Sequence, residues 1–111
     1  MTWRTTGVAE PTLPLGSLRE VMVGSMSILL VRLPGGVRAV EAICPHLGGL
    51  LADGTLTGTR LSCPEHRAVF DLNDGSVVVD PFGIEPPEGG VDPIVVYPTR
   101  VEAGMVEVDL P

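Results

Sequence analysis

Two cysteines and two histidines are all that this 111-residue chain offers as soft metal ligands or strong nucleophiles. No catalytic triad, phosphate-binding loop or flavin fingerprint is present to support substrate chemistry. Basic residues are also scarce, since seven stand against fourteen acidic residues and the formal net charge is -7. This acidity argues against a nucleic acid partner, because phosphate binding requires a basic patch.

Long apolar segments are missing as well. The longest, Ile28 to Val31, is far too short to cross a bilayer. The N-terminal segment lacks the basic region and apolar run of a secretory signal. We therefore expect a cytoplasmic protein without a membrane contact, in a compartment where thiols stay reduced.

Helix signals are absent, whereas turn signals are frequent. Fourteen glycines and eleven prolines divide the chain into short β-branched runs, a pattern typical of an all-β sandwich or barrel. The length fits one domain over residues 1–111, which leaves no room for a second catalytic domain. The pattern predicts strands at Leu18 to Val23, Met26 to Leu33, Val37 to Ile43, Leu56 to Thr57, Arg60 to Ser62, Val69 to Leu72, Val77 to Val79, Ile94 to Val101 and Met105 to Asp109.

The sequence does contain two paired ligand clusters. One residue separates Cys44 from His46, and two residues separate Cys63 from His66. Each cluster supplies one thiolate and one imidazole. A 2Fe-2S centre in which two thiolates hold one iron and two imidazoles hold the other needs this set of ligands.

Two other interpretations use the same residues. Two cysteines in a short chain can form a disulfide, although the paired histidines favour a metal. Tetrahedral zinc also accepts two cysteines and two histidines. Structural zinc sites usually draw their cysteines from one loop and their histidines from a helix, whereas here the two residue types alternate. Zinc remains the stronger rival.

With these ligands, the chain resembles a Rieske-type 2Fe-2S ferredoxin of the soluble bacterial kind. The resemblance runs from about Val8 to the C-terminus and centres on AICPHLGGLLADGTLTGTRLSCPEHRAVFDLNDGS. It implies a Rieske-like antiparallel β sandwich or barrel with a small cluster-binding subdomain. That subdomain is expected at about residues 43–83, and the remainder is expected to form the basal β part.

The resemblance also assigns the ligands. It implies that two cysteines bind the buried iron and two histidines bind the iron nearer solvent, namely Cys44, Cys63, His46 and His66. Many family members have an aromatic residue before the second histidine and a glycine after it, where this chain has Glu65 and Arg67. Neither difference removes a ligand.

A further feature is expected around the cluster. Proteins of this kind carry a proline-containing loop over one side of it, and Pro81 and Phe82 are the candidates here, with Leu47 as a second apolar cover. The acidity of the chain is explained most simply by solubility. The alternative is an acidic rim for docking, for which the candidates are Glu65, Asp71, Asp74, Asp80, Glu85 and Glu88.

The resemblance implies a one-electron carrier and not an enzyme by itself. Its expected partners are an NAD(P)H-dependent flavoprotein reductase and a terminal aromatic-ring oxygenase, met through transient contacts by a monomer. The alternative is a small Rieske-like subunit that stays bound to a nitrite reductase or another oxidoreductase complex. A low reduction potential is also expected, because the high-potential respiratory relatives have a serine and a tyrosine where this chain has Ala68 and Phe70.

Overall fold

The computed structural model describes residues 2–43, 50–64, 68–79 and 93–110. Within these ranges the chain is mostly strands with almost no helix, so the all-β prediction is confirmed. Two single-turn 3-10 helices, Glu10–Thr12 and Leu51–Asp53, interrupt them. The strands are β1 (Thr2–Ala9), β2 (Leu18–Val23), β3 (Met26–Leu33), β4 (Gly36–Glu41), β5 (Thr55–Thr57), β6 (Arg60–Ser62), β7 (Val69–Asp71), β8 (Val77–Val79), β9 (Val96–Tyr97), β10 (Thr99–Glu102) and β11 (Met105–Leu110).

The described strands form three antiparallel sheets. The first has the order β1-β11-β10, the second β2-β3-β4-β9, and the third β5-β6-β7-β8. Short turns join β2 to β3 and β3 to β4 in the second sheet, and β5 to β6 in the third sheet. These strand pairs are therefore hairpins. The predicted hairpin across Gly24 and Ser25 is confirmed, with Val23 paired to Met26.

Strand β3 explains how the three sheets stack. It is apolar on both faces: Leu29 and Val31 belong to one buried cluster, whereas Ile28 and Leu30 belong to another. The first cluster extends into the third sheet, and the second cluster extends into the first sheet. The second sheet therefore lies between the other two. Residues two apart along β3 share a face because side chains alternate along a strand.

The prediction of one strand from Ile94 to Val101 is wrong. The structure divides it at Pro98 into β9 and β10, which belong to different sheets. Proline has no backbone N–H and cannot donate to a neighbouring strand. Its carbonyl group is still used, because the Asp109 N–H donates to it at 3.0 Å. Pro98 is thus the point at which the chain passes from one sheet to another.

Strand β1 was not predicted, because its sequence TWRTTGVA is mostly polar. It pairs with β11, about 100 residues away, and the register shifts between Thr5 and Ala9. The Thr6 hydroxyl is buried and donates to the Val106 carbonyl at 2.8 Å. Gly7 has a φ of 75°, which suits glycine and accommodates the irregular register.

No helix in the described ranges is long and apolar enough to cross a membrane.

The pKa of Tyr97 on β9 leads to a prediction about the stability of the fold at alkaline pH. Burial, together with the nearby Glu41 carboxylate, raises the pKa of Tyr97 above its ordinary value of 10.0. A raised pKa means that the folded chain holds the proton more tightly than the unfolded chain does. The contribution of protonated Tyr97 to the free energy of unfolding is therefore fully present below about pH 10. It is lost as the pH rises through the pKa of Tyr97 in the folded state.

Melting temperatures measured across this pH range check the point. The chain has one tyrosine and no lysine, so Tyr97→Phe is a matched control that removes the main group titrating there. We expect the alkaline fall in stability to be smaller in Tyr97→Phe than in the parent chain. Equal falls in both proteins would contradict the assignment.

Candidate metal centre

The structure describes one of the four predicted ligands, Cys63. The other three, Cys44, His46 and His66, lie outside the described residues. The predicted covers of the cluster, Leu47, Pro81 and Phe82, lie outside them too. The described part of the site consists of Cys63 and the residues that flank the two ligand loops, which are residues 44–49 and 64–67.

Cys63 immediately follows β6 and continues its alternation of side chains. Leu61 is fully buried, Ser62 is half-buried, and Cys63 is again buried, with 2% of its surface exposed. The apolar cluster that holds Leu61 and Phe70 also includes Cys63. The thiol therefore lies on the core side of the third sheet.

The second ligand loop is closed by a backbone hydrogen bond. The Cys63 N–H donates to the Ala68 carbonyl at 2.7 Å, and the β6–β7 ladder continues from there with Ser62 paired to Val69. Residues 64–67, which include His66, thus connect two backbone positions that are already tied together.

The first ligand loop has a similar base. Ile43 forms an isolated antiparallel bridge with Leu50, and the Leu51 N–H donates to the Ala42 carbonyl at 3.0 Å. Residues 44–49, which include Cys44 and His46, connect the two sides of this bridge. Both loops therefore leave from and return to paired backbone.

One buried cluster joins the bases of both loops. Ala42 and Leu51 from the first base belong to the same apolar cluster as Cys63 and Ala68 from the second. These side chains are between 0 and 2% exposed. The bases of the two ligand loops therefore meet in one shared core, although they are separated by many residues in the sequence.

Cys63, the described one of the four predicted ligands, fits a 2Fe-2S cluster. Such clusters take thiolate ligands, and their potential depends on how well solvent is kept away. Cys63 offers a sulfur in an apolar, water-excluded position at the base of a short loop. This is the environment expected for the ligand of a buried iron.

Two of the predicted acidic rim residues are described, and both support a turn. The Asp71 carboxylate accepts a hydrogen bond from the Asn73 N–H at 2.9 Å. The Asp74 carboxylate accepts one from the Ser76 N–H at 2.9 Å. Hydrogen bonding from the Ser76 side chain, then from its backbone, lowers the pKa of Asp74. The other rim candidates, Glu65, Asp80, Glu85 and Glu88, lie outside the described residues.

Sequence reasoning missed the residues that tie the loops to each other. No turn signal in the sequence predicts the bridge between Ile43 and Leu50, because the residues between them are interpreted as a ligand loop. The close approach of Gly54 to the Ser62 backbone was missed as well, although a glycine just before a strand can signal such an approach.

Comparison with known proteins gives consistent results. The ferredoxin component of the naphthalene 1,2-dioxygenase system of Pseudomonas aeruginosa is 28% identical over 103 residues, which cover 93% of this chain and 91% of that protein. The Sphingomonas yanoikuyae B1 ferredoxin superposes with a TM-score of 0.80 at 27% identity, covering 97% of each chain.

Two further solved structures are similar. One is the complex of reduced oxygenase and oxidized ferredoxin in carbazole 1,9a-dioxygenase, in which the matching chain gives a TM-score of 0.77 at 26% identity and coverage of 96% of this chain and 91% of that one. The other is described as an NADH-dependent nitrite reductase small subunit from Mycobacterium tuberculosis, with a TM-score of 0.76, 27% identity, and coverage of 96% and 93%.

The family comparison agrees with the ligand pattern and with the buried thiol. Residues 6–87, about three quarters of the chain, match the profile of the Rieske [2Fe-2S] domain. That match favours a 2Fe-2S cluster over the zinc and disulfide interpretations. The chain belongs to the Rieske [2Fe-2S] domain family, and its cofactor is a 2Fe-2S cluster.

Proposed function

We propose that this protein is a one-electron carrier that delivers electrons to the terminal oxygenase of an aromatic-ring dioxygenase system. The observation that carries the proposal is the match to the naphthalene dioxygenase ferredoxin component over 91% of that protein's length. The solved complex of a similar ferredoxin with its oxygenase supports the same partner. The protein is an electron-transfer component and leaves the oxygenation to its partner.

Four residues are proposed to hold the cluster, with two thiolates on the inner iron and two imidazoles on the outer iron: Cys44, Cys63, His46 and His66. When bound, the cluster supplies reversible acceptance of one electron. The buried environment of Cys63 keeps water from the inner side. The iron that His46 and His66 are proposed to hold would then be the one that exchanges electrons with partners.

We also propose the boundaries of the functional unit. Residues 1–111 form a single Rieske domain, with about residues 43–83 as its cluster-binding part and the remainder as its basal part. The shared core between the second and third sheets supports this unit, because it joins the strand that leads to Cys63 directly to the basal strands β3 and β4.

The proposed donor is an NAD(P)H-dependent flavoprotein reductase in the cytoplasm. A carrier must meet and leave two proteins in turn, so a monomer with transient contacts suits the role. The net charge of -7 favours partners with basic faces, since complementary charge speeds encounter.

A second candidate role is supported by the likeness to the nitrite reductase small subunit. In that role the protein would remain bound to a large catalytic subunit instead of shuttling. Co-purification separates the two roles. A carrier is recovered free of its partner at moderate salt, whereas a subunit is recovered in a stable stoichiometric complex.

Reconstitution tests the proposal. A mixture of a flavoprotein reductase, NAD(P)H, an aromatic-ring dioxygenase and this protein should turn over, and leaving this protein out should slow turnover greatly. The physical reason is that the flavin and the oxygenase then lack the one-electron relay between them. Product formation and NAD(P)H consumption are the measurements. Equal turnover with and without the protein would remove the carrier role.

A further inference from the structure

Gly54 lies where the chain leaving the first ligand loop touches the strand that delivers Cys63. Its N–H donates to the Leu51 carbonyl at 3.0 Å and so closes the 3-10 turn that follows the first loop. A Cβ built on Gly54 would overlap the Ser62 carbonyl oxygen and would lie 3.1 Å from the Leu51 carbonyl oxygen. Both neighbours are backbone atoms, which cannot rotate away as a side chain can.

The lack of space for a side chain, and not the backbone conformation, explains why residue 54 is a glycine. Gly54 has a φ of -78°, which any residue adopts. The requirement is therefore that no side chain stands between the two backbone segments. Gly35, in the β3–β4 turn, provides a contrast, because a Cβ there would meet nothing within 4 Å.

Gly54 completes a backbone connection between the two loop bases. The Ala42 carbonyl accepts from the Leu51 N–H, and the Leu51 carbonyl accepts from the Gly54 N–H. Gly54 in turn lies so near the backbone of Ser62, the residue before Cys63, that a Cβ would overlap it. Moving Ser62 away from Gly54 would therefore move one ligand loop relative to the other. The strand ladder holds the two segments side by side at this point, since Thr55, which follows Gly54, pairs with Ser62.

We infer that Gly54 is a positioning residue that sets the separation of the two ligand loops and, through it, the geometry and retention of the cluster. This inference rests on the proposed function, in that Cys63 must be a ligand. It assigns to Gly54 a role in the site without any contact between Gly54 and the cluster.

The test is Gly54→Ala compared with Gly35→Ala. The added methyl group has no room between the two backbone segments, so we expect it to push them apart. The cluster should then be lost to an iron chelator about tenfold faster, a change that corresponds to about 1.4 kcal/mol. The electron paramagnetic resonance signal of the reduced protein should shift too. Gly35→Ala should behave as the parent in both measurements.

Folding is followed separately by far-ultraviolet circular dichroism and by the fluorescence of Trp3, the sole tryptophan, which lies in the first sheet. A folded Gly54→Ala with faster cluster loss and a shifted signal supports the inference. Parent-like chelation and signal overturn it. Loss of the whole fold also overturns it, because Gly54 would then be a general packing requirement. A parent protein without a Rieske signal would instead refute the proposed function itself.

Discussion

Replacement of Cys63 by serine is expected to abolish stable 2Fe-2S binding. The thiol is 2% exposed and belongs to the apolar cluster with Leu61 and Phe70. A serine hydroxyl is a harder and more weakly acidic ligand than the thiolate that such clusters require. Without metal, that hydroxyl would also be buried among apolar side chains, at a cost of roughly 1 to 3 kcal/mol if it lacks a partner.

Iron and acid-labile sulfide analysis measures this loss directly. Anaerobically purified parent protein should be red-brown and contain iron and sulfide in equal amounts. Cys63→Ser should be colourless, and Cys44→Ser should match it if the proposed pair of thiolates is correct. Ser62→Ala is a matched control, because Ser62 precedes the ligand on the other face of β6. A Cys63→Ser protein with full cluster content, or a parent with stoichiometric zinc and no sulfide, would defeat the assignment.

A low reduction potential is the second large expected effect, near the bottom of the roughly -150 to +300 mV Rieske range. Ala68 lies directly across the loop from Cys63, and Phe70 is buried in the same apolar cluster. Neither side chain has a hydroxyl to donate a hydrogen bond. The added electron is then less stabilised, so the oxidised form is favoured and the potential falls.

Protein-film voltammetry at neutral pH gives the potential. A value above about +100 mV would contradict the expectation. Glu65 provides a separate test from the sequence, since its carboxylate, one residue before the proposed ligand His66, should oppose the added electron. We expect Glu65→Gln to raise the potential by roughly several tens of millivolts, on the scale where about 59 mV is tenfold. An unchanged or lower value would remove the role of Glu65 and leave the low-potential assignment in place.

Local patterns were sufficient for the hairpins of the second and third sheets. Gly24 and Ser25 between two β-branched runs predicted the β2–β3 pair, and the structure has both strands with the predicted bounds. Strand β1 could not be found in this way. Its partner β11 is about 100 residues away. The mostly polar sequence of β1 shows little alternation, so long-range pairing and not local propensity determines this strand.

The site shows the same division. Ligand types and spacing were enough to propose the cluster, because metal chemistry restricts which residues can serve. The spacing of the loops depends on the approach of Gly54 to the Ser62 backbone, and a glycine in a sequence does not reveal which distant atom requires it. Pro98 can be seen in the sequence, but the change of sheet at Pro98 cannot. The change of sheet depends on which strands β9 and β10 pair with.

The shortness of β9 has a consequence for the behaviour of the protein at high concentration. Among the described strands, β9 is one of the two outer strands of the second sheet, the other being β2. It ends after two residues at a proline. An outer strand normally offers a row of free N–H and C=O groups to which another molecule can add a strand. Two residues followed by a residue without an N–H form too short a template for such addition. Within the described residues, the β9 edge of the second sheet therefore offers little backbone for edge-to-edge aggregation.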